Sequence, residues 1–135
     1  MKLLNRIFRR TEPGISFHEL VSLDSDWGRE ALAIYEEAFP VEERETLEDL
    51  KQTVDFPHES DKRHHFRLMV GTDNSVLGIA IFTTIHSRYM AFLRFFAVRQ
   101  DVRNHGYGRF LLQDAKAQVR NDGWQHAGYP YLGLA

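Results

Sequence analysis

Hydrophobic positions along this chain change period twice. Trp27, Ala31, Ile34, Tyr35 and Ala38 recur every three to four residues, which predicts a helix with one apolar face. Asp24-Ser25-Asp26 supplies N-cap residues before it, and Pro40 ends it. Leu47, Leu50 and Val54 predict a second, shorter helix, opened by Thr46 and Asp49 at capping-box spacing and closed by Pro57. Ile15 to Leu23 reads as a short strand ahead of both helices, and the polar stretch His58 to His64 as a loop. The period then drops to two: Phe66, Leu68 and Val70 alternate with Arg67 and Met69. Gly71 to Ser75 is turn chemistry. Val76 to Ile85 is β-branched and aromatic, with Gly78 expected at a bulge or a close approach. After His86-Ser87-Arg88, Tyr89 to Val98 is the most apolar strand candidate and is expected at the centre of a sheet. Helical spacing returns from Arg109 to Asn121, burying Leu111, Leu112, Ala115 and Val119, with Gly123 expected as a left-handed cap. Tyr131 to Leu134 predicts one more strand.

The order strand, helix, helix, three strands, helix, strand defines a mixed α/β (α+β) class, and residues 1–135 suffice for one domain with one core. Hydrophobic residues make up 43% of the chain, enough to drive folding. Lys and Arg number 17 against 19 Asp and Glu, a net charge of −2, which argues against bulk electrostatic capture of nucleic acid. With no cysteine, disulfides, thiolate zinc sites and a cysteine nucleophile are excluded, and a cytoplasmic location fits. The basic start, Met1 to Arg10, has too short an apolar run for a signal peptide and is expected to be a loosely docked arm. No stretch reaches membrane-spanning length, so no membrane partner is expected. His58, His86, His105 and His126 show no ligand spacing, and the adjacent His64 and His65 would point opposite ways on a strand; no metal is expected.

The candidate chemistry sits between the last long strand and the last helix, at Arg103-Asn104-His105-Gly106-Tyr107-Gly108. Glycines there let the backbone tighten and approach a ligand. A helix opening at that point gathers free N–H groups and a positive dipole end, and Arg103 adds a full charge. The combination fits a phosphate, hence a cofactor carrying pyrophosphate. A dinucleotide fingerprint would need glycine where Leu111 stands, and no Gly-Lys-Ser/Thr follows to make a P-loop.

Phe95-Phe96-Ala97-Val98, Arg99-Gln100-Asp101-Val102, the Arg103 to Gly108 turn and Arg109-Phe110-Leu111-Leu112 together resemble the GCN5-related N-acetyltransferase (GNAT) family. Its signature is an apolar strand, a short loop, Arg/Gln-x-x-Gly-x-Gly/Ala, then a helix; Arg103, Gly106 and Gly108 match it. Phe39-Pro40 with Glu43-Arg44 resembles the family's junction between its first two helices, and the element order matches from about Ile15 onward. The resemblance implies a mostly antiparallel sheet flanked by helices. It implies acetyl-CoA as co-substrate, with the pantetheine arm along Phe96, Ala97 and Val98 and the pyrophosphate held by Arg103, Asn104, His105, Gly106, Tyr107, Gly108 and Arg109. Pantetheine amides can add to a strand as another strand does. The implied reaction is direct attack of a primary amine, on a small molecule or a protein, on the thioester. That reaction needs a base, an oxyanion donor and an acid for the thiolate.

Two departures follow. Many family members carry a glutamate four residues before the position of Val98; here that residue is Arg94, which stays protonated and cannot be the base. Strict alternation from Val98 would put Arg94 and Phe96 on one face and Phe95 and Ala97 on the other. The catalytic residues are therefore unassigned, and a non-catalytic domain that binds CoA or a protein is the rival reading. Second, the family fold continues with a strand, a helix and two more strands, which this sequence lacks. An open apolar sheet edge and face then predict a homodimer or higher oligomer contacting through the segment from Trp124 onward. Trp124, Tyr129 and Tyr131 fit a recognition surface, a core or an interface equally. Glu42, Glu43 and Glu45 lie where the family places part of its acceptor site, and fit either that role or a solvated helix entry.

Overall fold

The computed structural model describes residues 14–135. The expected N-terminal arm, Met1 to Arg10, lies outside the described residues. The elements follow in the order β1 (Ser16–Glu19), α1 (Asp26–Ala38), α2 (Leu47–Asp55), β2 (Lys62–Val70), β3 (Val76–Ile85), β4 (Met90–Val98), α3 (Tyr107–Ala127) and β5 (Gly133–Leu134), with short 3-10 turns at Val41–Glu43, His86–Arg88 and Gln100–Val102. The strands form one five-stranded sheet in sequence order, antiparallel from β1 to β4, with β5 parallel to β4.

β3, not β4, is the central strand, and its burial shows why. Ile79 and Ile81 pack on one face with Ala31, Ile34, Tyr35, Leu50 and Val54 of α1 and α2. Ala80 and Phe82 pack on the other with Leu111, Ala115 and Val119 of α3. A strand buried on both faces has no polar side to alternate with. Each fully buried Leu, Ile or Phe contributes about 1.5–3 kcal/mol through lost water contact.

The helix signals act as read. The Ser25 side chain accepts a hydrogen bond from the Gly28 N–H at 3.0 Å, and Thr46 Oγ1 accepts one from the Asp49 N–H at 3.1 Å. Past Pro40, Arg44 folds back on α1 and donates to the carbonyls of Phe39 and Glu36 at 2.8 Å each, supplying the positive charge the last turn lacks.

Three further expectations are corrected. β2 begins at Lys62, inside the stretch read as a loop, because His64 and His65 both pair across the ladder to Thr83 and Phe82. α3 runs through Gly123 to Ala127, and the left-handed cap is Gly128. Gly123 instead provides clearance: a Cβ there would lie 2.4 Å from the Tyr131 backbone nitrogen, so the returning chain crosses the helix at this point. Finally, the β3–β4 register slips between Ile81 and Phe82, which face Phe95 and Leu93 and leave Arg94 as the extra residue. This bulge undoes the alternation, so Arg94 joins the face of Phe95 rather than that of Phe96. Gly78 is a close-approach point: a Cβ would lie 3.1 Å from both the Ala97 oxygen and Leu111.

Candidate functional site

The turn after β4 is built from backbone strain and one arginine. Asn104 and Gly106 have φ of 67° and 82°, both left-handed, so the chain doubles back twice before α3 starts. Such alternation turns successive N–H groups toward one side. Gly106 is the N-cap of α3 and gives it no side-chain acceptor, unlike Ser25 on α1 and Thr46 on α2. The N–H groups of Tyr107, Gly108 and Arg109 open a 21-residue helix without a side-chain cap. Arg103 holds the turn shut. Its Nε donates to the Val98 carbonyl at 2.8 Å and its terminal nitrogen bonds Glu37 of α1 at 2.9 Å. Arg99 ties the strand end from the other side, donating to Asp101, to Ser75 Oγ and to the Val76 carbonyl. The His105 and Tyr107 rings lie nearly parallel, 6.2 Å apart.

Beside the turn, β4 has an unpaired edge. β5 covers only Met90 and Ala91, with one more bond from the Leu93 N–H to Ala135. From Arg94 to Val98, no strand pairs the side of β4 away from β3 among the described residues. The Arg99 N–H donates back to the Leu77 carbonyl on β3 at 2.7 Å. Antiparallel pairing alternates, so Ala97 also turns its backbone groups to β3, while Phe96 and Val98 turn theirs to the open edge. The Val98 carbonyl is the one Arg103 occupies. Of the strand residues singled out in the sequence, Phe96 and Val98 therefore offer backbone groups outward and Ala97 does not. The first turn of α3 lies against the same strand: a Cβ on Gly108 would sit 3.7 Å from Phe96 and 3.8 Å from Val98.

On the α1–α2 face, at the β4 bulge, lies a cavity of about 460 Å³ whose walls include Glu45, Asp49, Thr53, His64, Thr83 and Arg94. Arg94 is clamped there. Its Nε donates to Glu45 at 2.9 Å, a second bond joins the same carboxylate, and others reach Thr53 at 3.0 Å and Thr83 at 3.4 Å. The expectation for the three glutamates thus divides: Glu42 and Glu43 are solvated, while Glu45 is half-buried against Arg94. Glu37 and Thr83 were not legible as site residues, and Glu45 and Arg94, each singled out in the sequence, were not legible as a pair, because these contacts join segments far apart in sequence and carry no local signature.

Behind the sheet, on the α3 face, His65 is buried between two carboxylates. Its Nδ1 lies 2.5 Å from Glu19 and its Nε2 2.8 Å from Asp122, which also accepts from Thr84 Oγ1 at 2.6 Å. Burial pulls its pKa down, but the hydrogen bonds and charges of Asp122 and Glu19 outweigh this and leave it above the ordinary value. Burial pushes Glu19 up, and the His65 contact, the Phe66 N–H and Arg67 bring it to a net lowering. Among the described residues no three His, Asp or Glu side chains are grouped as a metal requires, and no helix is long and apolar enough to cross a membrane.

The sequence profile described as "Acetyltransferase (GNAT) family" matches residues 27–129. No curated protein matches the chain. Several solved structures share the fold. One, described as belonging to the GNAT family, is from Bacteroides thetaiotaomicron; it is 21% identical with a TM-score of 0.61 over 76% of this chain and 55% of its own. The ribosomal-protein-S18-alanine N-acetyltransferase of Escherichia coli is 18% identical, TM-score 0.55, over 81% of this chain and 61% of its own. A GCN5-related N-acetyltransferase from Kribbella flavida is 21% identical, TM-score 0.59, over 82% and 67%. The chain thus spans less than two thirds of the length of the first two.

Proposed function

This chain belongs to the GNAT acetyltransferase family, and on that premise we propose that it transfers an acetyl group from acetyl-CoA to a primary amine. The observation that carries this reading is the juxtaposition of two unsatisfied backbone surfaces: the uncapped start of α3 and the unpaired edge of β4 from Arg94 to Val98. A pyrophosphate fits the first, through the N–H groups from Asn104 to Arg109. Pantetheine amides fit the second, through the N–H and carbonyl of Phe96 and the N–H of Val98, whose carbonyl Arg103 occupies. Arg103 serves mainly by fixing the turn to β4 and α1, because its charge already faces Glu37. The thioester supplies the acyl group, and the backbone N–H groups of the open β4 edge are candidate donors to its carbonyl oxygen.

The rival reading, a CoA-binding domain without turnover, draws on Arg94, which stands where many relatives carry a glutamate base. Two measurements separate the readings. Titration calorimetry with CoA is expected to show binding, with neither NAD nor ATP competing; no binding at millimolar CoA would refute both. Free thiol release from acetyl-CoA with a panel of amines is expected in the first reading and absent in the second.

We also propose self-association through the exposed surface of Tyr89, Trp124, Tyr129 and Leu132, the last 78% accessible. Sedimentation velocity should show mass rising with concentration. A constant monomer at tens of micromolar would refute it.

A further inference from the structure

The cavity at the β4 bulge contains a hydrogen-bond chain with a direction. Arg94 donates to Thr83 Oγ1 at 3.4 Å. Thr83 Oγ1 lies 2.8 Å from His64 Nδ1, and His64 Nε2 lies 3.1 Å from a Glu59 oxygen. An arginine only donates. With Arg94 donating to it, the Thr83 oxygen points its own proton at His64 Nδ1, which leaves Nε2–H to face Glu59. Every proton in the chain is thus aimed from Arg94 toward Glu59, at the rim of the same cavity, whose side chain is half exposed to solvent. Thr83 and His64 both line the cavity, together with Phe92 and Arg94 of β4. Thr83 stands one strand, about 4.8 Å, in from β4, whose free edge starts at Arg94.

Other carboxylates at this site are less suited to take a proton. Glu45 is committed to Arg94 by two bonds. Asp49 is exposed on α2. The charged groups facing the His64 ring are Glu59 and Lys62 from its own segment, Glu45 and Asp49 from across the cavity, and Arg94 through Thr83, while Arg63 bonds the His64 carbonyl and carries its charge to Glu19, outside this cavity. With Glu45 and Arg94 neutralising each other, Asp49 and Glu59 against Lys62 leave a negative balance that favours a cationic guest.

We propose that this cavity takes the acceptor as a protonated alkylamine and drains its proton through Thr83 to His64, with Glu59 holding the imidazolium that results. The proposal rests on the acetyltransferase reading above. The ammonium N–H gives its proton to Thr83 Oγ1 as the hydroxyl proton passes to His64 Nδ1. The neutral nitrogen then attacks the thioester carbonyl carbon, a C–N bond forms, and the C–S bond breaks. Of the two protons still on nitrogen, one passes through solvent to the departing thiolate and the other stays as the amide N–H, giving an amide and a thiol. His64 returns its proton to solvent past Glu59. Thr83 touches the substrate; His64 acts through it.

The test measures acetyl transfer by the full chain to an alkylamine, cationic at neutral pH, and to an arylamine, already neutral there. His64→Gln should lower kcat/KM for the alkylamine at least ~100-fold at pH 7, the lower end of what lost base assistance costs. It should leave the arylamine within ~3-fold. The alkylamine rate should approach wild type as pH rises toward the free base. Thr83→Val should show the same split, and calorimetry should give both variants wild-type CoA affinity. Equal losses with both amines, or an unchanged pH profile, would overturn the relay. If the wild type rejects the arylamine, the pH profile alone decides. A wild type that binds CoA yet acetylates no amine would overturn the acetyltransferase reading, and the relay with it.

Discussion

At the scale of single residues, the two glycines of the turn do different work. Gly106 sits at φ 82°, where a Cβ is strained, although nothing but Arg109, at 3.7 Å, is near. Gly108 has ordinary space for a Cβ. Gly106→Ala is therefore expected to cost about 1 kcal/mol of stability and to weaken CoA binding by shifting the N–H groups of the turn. Gly108→Ala, in the first turn of α3 with room for a Cβ, should be neutral or stabilise by up to about 1 kcal/mol and leave CoA affinity near wild type. Urea melts and calorimetry on the two variants check the pair; equal effects would refute the distinction. The glycines and Arg103 were legible because a short motif carries them. Glu37, which Arg103 meets across 66 positions of sequence, was not. The caps Ser25 and Thr46 were legible for the opposite reason, since each acts on a backbone group three residues away.

At the scale of elements, errors arise where one element's conformation is dictated by another. Period-two reasoning placed Arg94 with Phe96, and a one-residue bulge reversed it, because a salt bridge to the loop before α2 could form only on that side. Arg94→Ala should destabilise the fold by about 1.5 kcal/mol, the scale of a hydrogen bond to a charged group. Arg94→Glu should cost more, since it sets two carboxylates together. Chemical denaturation decides, and a neutral Arg94→Glu would show that the pair is not formed in solution. Gly123 makes a sharper case. Helix propensity alone says that Gly123→Ala inside α3 stabilises by about 1 kcal/mol. A Cβ 2.4 Å from the Tyr131 nitrogen reverses the sign, and we expect a loss of at least ~2 kcal/mol from overpacking. A gain in melting temperature would mean that the segment after α3 does not cross the helix there.

For the whole molecule, element order and both apolar faces follow from hydrophobic period, and the family resemblance supplied the strand arrangement. What period could not supply is the polar tie through the core, in which His65 of β2 joins Glu19 of β1 to Asp122 of α3. This tie makes stability depend on pH in a direction that can be worked out. The His65 pKa is raised above 6.5, so between 6.5 and the folded value the native state binds more protons than the unfolded chain. Its stabilisation is complete below 6.5 and is lost as pH rises through the folded pKa. His86 acts oppositely: burial and the facing His126 ring pull it below 6.5, so stability falls as pH drops beneath that value. Glu19, held below 4.5, adds a further loss in acid. The fold should therefore be most stable near pH 6.5 and weaken on both sides. His65→Gln should abolish the alkaline decline and keep the acidic one, because His86 and Glu19 remain. Melting curves from pH 4 to 9 on both proteins test this. An alkaline limb that survives in His65→Gln would show that His65 is not the group that titrates.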